Sequence, residues 1–348
     1  MDRARAARTA VSELGDEALG RLLLDGQQGW GLARRVTVCG CPAFIKAVPV
    51  TDEERRANLT TANLFGIPPY LNYPFGSPGV AAGRERAFAR RSTEWVESGA
   101  CPGFPILLHD RVIDRELVAD GDGPPAGHSA YRGEDAAMNR YLADRAAASA
   151  YLVLAYEDIP ANAVDWLMHH PAHAAWILDD VRSTVRFLRE QHIVHFDVDL
   201  FNVVTDGHHA FIADHGLVLD GSFELTDAER DFLDANRHFD EGNLIMSFGH
   251  QLYWTHQARQ PDERAAMDTR LGLTGAPFET AVVRLLDALA DGQLEVDPAL
   301  QSVVEQHRPV IAFMHDFYTC ARANWNGTTR LDDERLARLL NEVRYPRG

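Results

Sequence analysis

The stretch His195-Phe196-Asp197-Val198-Asp199-Leu200-Phe201-Asn202 carries most of the fold information in this 348-residue chain. Upstream of it, apolar residues recur at helical spacing from Ile177 to Leu188 and stop just before His195. Downstream, the apolar pair Val203-Val204 begins a strand. Asp197 and Asn202 therefore lie five residues apart on a loop between a helix and a strand. This pattern predicts a loop that presents a carboxylate and an amide together.

A second acidic motif follows, and it also lies beside a short apolar strand. Asp214, in Asp214-His215-Gly216, comes after the apolar strand Ala210–Ala213, and Asp206-Gly207 supplies the turn between the two strands. We expect this hairpin to bring Asn202 and Asp214 side by side. Carboxylate and amide oxygens suit Mg²⁺, a hard cation that takes a few protein oxygens together with phosphates.

The His-x-Asp-x-x-x-x-Asn and Asp-x-Gly motifs resemble the catalytic and metal-binding loops of protein kinases and of aminoglycoside-phosphotransferase-like enzymes. The resemblance implies an α+β, bilobal fold, with an antiparallel sheet and one or two helices in the N-lobe and a mainly helical C-lobe. It implies Asp197 as catalytic base or hydroxyl positioner, and Asn202 and Asp214 as Mg²⁺ ligands. A change from strands to helices near residue 158 predicts lobes at 1–158 and 159–348.

The N-terminal part of the chain contains residues that match the nucleotide-binding lobe of kinases. Val36 to Val50 reads as a hairpin around a Cys39-Gly40-Cys41-Pro42 turn, and its second strand contains Lys46, the only lysine of the chain. Ala43-Phe44-Ile45-Lys46 resembles the lysine strand of kinases, which implies that Lys46 contacts the α- and β-phosphates of ATP. Glu85, on a helix expected over 83–98, faces the interior with Phe88 and is the implied ion-pair partner.

Two further segments are implied to bind nucleotide. Gly26, Gly29 and Gly31 would let backbone N–H groups approach phosphate oxygens, although they could equally form a plain hairpin turn. Ala155, Tyr156, Glu157 and Asp158 end a predicted strand, and the resemblance makes them the hinge whose backbone meets adenine. Two other elements are expected here, a helix over 52–65 and a strand over 104–108.

The motif departs from the family pattern at Asp199. Protein kinases commonly carry lysine there and small-molecule kinases histidine, whereas a carboxylate would repel a phosphate unless Mg²⁺ or a cationic acceptor intervened. Asp199 therefore either binds the acceptor or marks slow chemistry. His195 is expected to support the loop by hydrogen bonding rather than to act as a base.

The expected function is transfer of the γ-phosphate of ATP, with Mg²⁺, to an acceptor hydroxyl. No Ala-Pro-Glu segment or long activation loop follows Gly216, which argues against a signalling protein kinase. The acceptor is then a small molecule or Ser/Thr of a dedicated peptide in a natural-product pathway. The alternative is a pseudokinase-like module that binds nucleotide or a partner without turnover.

Charge and composition argue against several classes of binding partner. The net charge of −17 argues against nucleic acid and anionic membranes, and it either suits a cationic acceptor or keeps the surface soluble. We find no membrane-spanning run or signal sequence, so a cytoplasmic enzyme is expected. The four cysteines are too scattered for a disulfide framework or a zinc site.

Overall fold

The computed structural model describes residues 2–23, 27–28, 32–73, 79, 81–114, 135–323 and 329–344. The chain is α+β, as predicted. It forms two compact units, each discontinuous in sequence. The first contains Met1–Ile159, Gln191–Phe196 and Ala213–Asp234. The second contains Pro160–Glu190, Asp197–Ile212 and Ala235–Gly348. The predicted lobe limits at residue 158 stay a prediction.

The elements up to residue 159 are α1 (Asp2–Ser12), α2 (Asp16–Leu23), β1 (Gln27–Gln28), β2 (Leu32–Val38), β3 (Cys41–Val50), α3 (Asp52–Arg56), α4 (Pro69–Asn72), α5 (Ala82–Ser98), β4 (Leu107–Asp114), α6 (Ala136–Ala146) and β5 (Ala150–Glu157). The later elements are β6 (Ala161–Asn162), α7 (Ala163–His169), α8 (Ala174–Glu190), β7 (Ile193–Val194), β8 (Val203–Thr205), β9 (Ala210–Ile212), β10 (Leu219–Asp220), α9 (Asp227–Asp234), α10 (Phe239–Gln257), α11 (Pro261–Leu271), α12 (Phe278–Ala290), α13 (Pro298–Ala323) and α14 (Asp333–Arg344).

An antiparallel sheet of order β1-β2-β3-β5-β4 organises the first unit. Its β2–β3 hairpin turns at Cys39 and Gly40, which both have positive φ angles (49° and 80°), as a tight two-residue turn requires. One face of the sheet packs against α1 and α2, and the other packs against α5. Because side chains alternate along β3, buried Ile45 faces α1 and α2, and its neighbour Lys46 lies on the face that carries α5.

Two predicted elements have different bounds. The helix expected over 52–65 ends at Arg56, because Asn58 and Leu59 both have a φ of 53°, a left-handed conformation that a helix cannot continue through. The strand expected over 104–108 begins only at Leu107 and runs to Asp114, paired with β5. Helix α6, which precedes β5, was not predicted from the sequence.

The second unit is mainly helical. Helix α10 is buried along most of its length and packs against α8, α12 and α13. The small antiparallel sheet β6-β8-β9 contains the predicted hairpin, with Gly207 at φ 89° in its turn. No helix among the described residues is long and apolar enough to cross a membrane.

Candidate active site

Lys46 lies on the central strand β3, paired to Ala33 of β2 on one side and Leu154 of β5 on the other. Its Nζ atom lies 2.8 Å from Glu85 Oε1 and 2.7 Å from Asp214 Oδ1. The lysine side chain is 16% exposed. The ion pair between Lys46 and Glu85 that the sequence predicts is therefore present, and Asp214 completes a three-residue cluster within the first unit.

Glu85 is placed by the start of α5. It lies in the first helical turn, where the helix dipole favours a negative charge, and its side chain is 5% exposed. Close packing brings this turn inward, since a Cβ on Gly83 would lie 2.3 Å from the carbonyl oxygens of Leu59 and Thr60. Glycine at position 83 is thus what allows the helix to approach the turn that follows α3.

Ion pairs fix the same helix on two sides. Arg84 is buried and its Nη1 lies 2.7 Å from Oε1 of Glu229, which is 1% exposed and belongs to α9. Arg84 Nη1 also donates to the hydroxyl of Tyr73. On the sheet side, Asp110 of β4 accepts from both Arg86 and Arg90 of α5. Sequence reasoning missed the Arg84–Glu229 pair, because nothing local distinguishes a buried arginine from a solvated one.

Asp214 follows β9 in a left-handed conformation, with φ at 55°. Its Oδ1 accepts from Lys46 Nζ and, at 3.4 Å, from the N–H of Gly216. The side chain is 46% exposed, so the carboxylate is reachable from solvent. Aspartate is one of the few non-glycine residues that adopt this backbone conformation readily.

The positive and negative groups of the cluster shift each other's pKa values toward the charged forms. Burial alone would lower the pKa of Lys46, but Asp214 and Glu85 outweigh it and raise that pKa above its ordinary value. Desolvation acts to raise the pKa of Asp214, but the charge and hydrogen bond of Lys46 lower it to about 2. Burial raises the pKa of Glu85 although Lys46 acts in the opposite direction. With both carboxylates ionised, the cluster has one net negative charge and can attract a cation.

His195 and His215 form a buried pair beneath this cluster. His195 Nε2 lies 3.1 Å from His215 Nδ1, so one ring donates and the other accepts. Burial lowers the pKa of His195 to about 4 and that of His215 well below its ordinary value. Phe88 packs edge-on against both rings. His195 is thus buried and neutral near pH 7, and its expected support of the Asp197 loop stays a prediction.

The loop Asp197–Asn202 belongs to the second unit and is closed by hydrogen bonds. Asn202 Nδ2 donates to the carbonyl oxygen of Asp197 at 3.0 Å, and the N–H of Asp199 donates to the same oxygen at 3.1 Å. The amide group of Asn202 is thereby oriented with its nitrogen inside the loop. Its oxygen is the atom left to reach a metal ion.

Asp199 has a structural task in this loop. Its Oδ1 accepts from the N–H of Phe201 at 2.8 Å and from the N–H of Asn202 at 3.1 Å. Aspartate side chains often bond to backbone N–H groups two or three residues further on and so stabilise a turn. The turn accounts for an aspartate at this position without a role in binding phosphate.

The structure adds two residues that support the loop. Asn243, buried on α10, donates from Nδ2 to the carbonyl oxygen of Val198 at 3.0 Å. The hydroxyl of Tyr318, on α13, donates to Asn243 Oδ1. Burial, and then the charges of Asp199 and Asp197, raise the pKa of Tyr318 well above its ordinary value. A polar residue among the apolar positions of α10 was the available signal, but its partner could not be inferred.

The remaining predicted residues have different outcomes. Gly26, Gly29 and Gly31 lie outside the described residues. Ala155 and Tyr156 lie within β5, which pairs with strands on both sides, and Glu157 ends it. Asp158 Oδ1 forms an ion pair with Arg35 Nε at 2.9 Å. Adenine contact at these four residues stays a prediction.

Comparison with known proteins gives no assignment. Neither a scan of the chain against protein-family models nor a search of curated proteins found a match. Among the described residues, no group of three or more histidine, cysteine, aspartate or glutamate side chains is arranged to hold a metal ion. The Lys46 cluster and the Asp197 loop are therefore the features of this protein that bear on its function.

Proposed function

We propose that this protein is an ATP-dependent phosphotransferase with a bilobal, protein-kinase-like fold, which moves the γ-phosphate to an acceptor hydroxyl. The observation that carries the proposal is the Lys46 cluster. The only lysine of the chain lies within 2.8 Å of two carboxylates, and one of them, Asp214, is 168 residues away in sequence. The resemblance to kinases implies all three residues: Lys46 from the lysine strand, Glu85 as its ion-pair partner and Asp214 from the Asp-x-Gly motif.

Lys46 has hydrogen-bond donating capacity to spare for nucleotide. An ammonium group carries three N–H donors; Asp214 accepts one of them, and Glu85 lies 2.8 Å away as an ion-pair partner. A remaining N–H can donate to a phosphate oxygen, and the two carboxylates keep the amine charged for that purpose. Lys46 thus binds and orients the phosphates, as transfer requires.

Each of the two implied Mg²⁺ ligands offers an oxygen of the kind that this cation prefers. The carboxylate of Asp214 is ionised and reachable from solvent, and Asn202 has its amide nitrogen engaged within its own loop, which leaves its oxygen as the ligand atom. A Mg²⁺ ion held by these residues would neutralise charge on the phosphate oxygens. Asp197, on the same loop as Asn202, accepts the acceptor's hydroxyl proton and orients its oxygen for attack.

The test separates binding from transfer. Wild-type protein should bind ATP with Mg²⁺ in calorimetry and release ADP slowly even with water as acceptor. Lys46→Met and Asp214→Asn should weaken nucleotide binding, whereas Asp197→Asn should keep it and lower turnover by about 10²- to 10⁴-fold. Arg8→Met, an exposed change elsewhere in the first unit, is the control.

Two results would count against the proposal. Absence of Mg²⁺-dependent ATP binding would remove its basis, and unchanged turnover in Asp197→Asn would remove the role given to that residue. A protein that binds Mg²⁺ and ATP but never releases ADP, with any acceptor, would favour the pseudokinase-like binding module instead.

A further inference from the structure

Four aromatic side chains form a cluster next to the Asp197 loop, which we call the aromatic surface: Phe201, Tyr253, Trp254 and Phe278. Phe201 belongs to the loop itself and meets Trp254 edge-to-face, with ring centroids 5.3 Å apart. Tyr253 meets both Trp254 and Phe278 at 5.0 Å and 4.9 Å. The rings come from three separate segments of the second unit, the loop, α10 and α12.

This surface is open to solvent. Phe201 is 51% exposed, one of three large apolar side chains that are exposed within the described parts of the chain. The other three rings are partly exposed. Single exposed apolar residues are ordinary, but a group of connected aromatic rings at the surface typically marks a binding site.

The ring of Phe201 is held at a fixed place relative to Asp197. The N–H of Phe201 donates to Asp199, and the neighbouring Asn202 side chain donates to the Asp197 carbonyl oxygen. Since adjacent Cα atoms are about 3.8 Å apart, the four steps from Asp197 to Phe201 span at most about 15 Å, and the hydrogen bonds that close the loop bring its ends closer together. A ligand ring packed on Phe201 would therefore lie next to the loop that carries Asp197.

The negative charge of the loop favours a second chemical feature in the ligand. The loop that carries Phe201 also carries the carboxylates of Asp197 and Asp199, and the chain as a whole has a net charge of −17. A protonated amine on the ligand would complement these carboxylates and would also be attracted to the faces of the aromatic rings.

We propose that the aromatic surface around Phe201 binds an aromatic ring of the phosphate acceptor, and that the acceptor is a small aryl amino alcohol. This inference depends on the proposed phosphotransferase function and specifies the substrate class of the same site. The ring packs against Phe201 and Trp254, the amine lies near the loop carboxylates, and the hydroxyl meets Asp197.

The test uses 2-amino-1-phenylethanol as a probe and 2-aminoethanol, which lacks the ring, as its matched partner. Binding to the full chain is measured by calorimetry and ligand-observed NMR, with and without Mg²⁺ and a non-hydrolysable ATP analogue. Phe201→Ala should weaken the aryl probe about three- to tenfold and leave the ringless probe unaffected, as loss of one aromatic contact predicts. Phe201→Tyr, which keeps a ring, should restore affinity.

Phe313→Ala is the control. Phe313 is a partly exposed ring on α13 that contacts Arg335, and its loss should not change the affinity of either probe. The proposal is overturned if wild-type protein does not bind the aryl probe, if the ringless probe binds equally well, or if Phe201→Ala leaves the affinity unchanged. It is also overturned if Phe201→Ala weakens the ATP analogue by the same factor, because the ring would then belong to the nucleotide site.

The same titrations distinguish this proposal from the proposed function. Failure of the ATP analogue to bind, together with ring-dependent binding of the aryl probe, would overturn the phosphotransferase function and support the aromatic surface as a binding site. Normal binding of the analogue without ring dependence would overturn only the acceptor class.

Discussion

Replacing Arg84 with methionine should destabilise the protein far more than replacing Arg8, although both arginines lie 2.7 Å from a glutamate. The Arg84–Glu229 pair is 4% and 1% exposed, whereas the Arg8–Glu97 pair is 45% and 49% exposed. Burial is thus the main difference between two pairs of equal length. The comparison tests whether the attachment of α5 to α9 stabilises the first unit.

The magnitude follows from what each change leaves behind. Arg84→Met leaves the Glu229 carboxylate buried without its cation, with the N–H and hydroxyl of Thr226 still donating to it at 2.9 Å and 3.0 Å. It also removes a bond to the Thr61 carbonyl oxygen. Breaking one partner of a buried ion pair costs about 3–5 kcal/mol, compared with about 0–1 kcal/mol for an exposed pair.

The assay is urea denaturation at pH 7.5 followed by circular dichroism, with the melting temperature as a second measure. We expect Arg84→Met to melt about 10 °C lower and Arg8→Met to melt within a few degrees of wild type. The double variant Arg84→Met, Glu229→Gln should lose less than Arg84→Met alone, because no uncompensated charge remains. Equal losses for the two single variants would refute the reasoning.

Three other changes have defined outcomes. Asp199→Ala should lower the free energy of unfolding by about 1 kcal/mol, whereas Asp199→Asn should lower it by less, since an amide oxygen still accepts the loop N–H groups; urea denaturation measures both. Gly83→Ala should cost about 1–3 kcal/mol in the same assay through its clash with backbone oxygens, whereas Gly15→Ala, with nothing within 4 Å, should cost almost nothing. Burial lowers the pKa of His250 to about 3, so below its usual pKa of 6.5 the unfolded chain takes up a proton that the folded chain does not, and stability is lost as pH falls. At pH 5 this loss is about 2 kcal/mol, so His250→Phe should reduce the fall in unfolding free energy between pH 7.5 and 5 by that amount.

Each of these has a contradicting result. A stability loss for Asp199→Asn equal to that of Asp199→Ala would show that the turn does not depend on an accepting oxygen. A Gly83→Ala variant as stable as Gly15→Ala would mean that the α5 approach is not close. Acid sensitivity of His250→Phe equal to that of wild type, with His208→Gln as an exposed control, would remove the role of the buried imidazole.

Local sequence patterns predicted the elements that present the candidate residues. Helical spacing along α5 indicated that Glu85 faces the interior, the resemblance to kinases implied Lys46 as its ion-pair partner, and the structure places their charged groups 2.8 Å apart. The β8–β9 hairpin follows from its turn residues, Asp206 and Gly207. These predictions succeed because a strand or a helix fixes side-chain direction within a few residues. Where a turn chemistry was not recognised, at Asn58 and Leu59, the predicted helix was too long.

The sequence by itself determined the α+β class and the order of the motifs, and its resemblance to kinases implied that the only lysine pairs with a carboxylate. Only the tertiary structure decided which groups support them. Glu229 reaches Arg84 across 145 residues of chain, and Tyr318 reaches Asn243 across 75. The same holds for Phe201, whose aromatic neighbours come from α10 and α12. The physical reason is that burial and partner choice depend on how distant segments pack, and hydrophobic packing specifies no partner that can be read from local spacing.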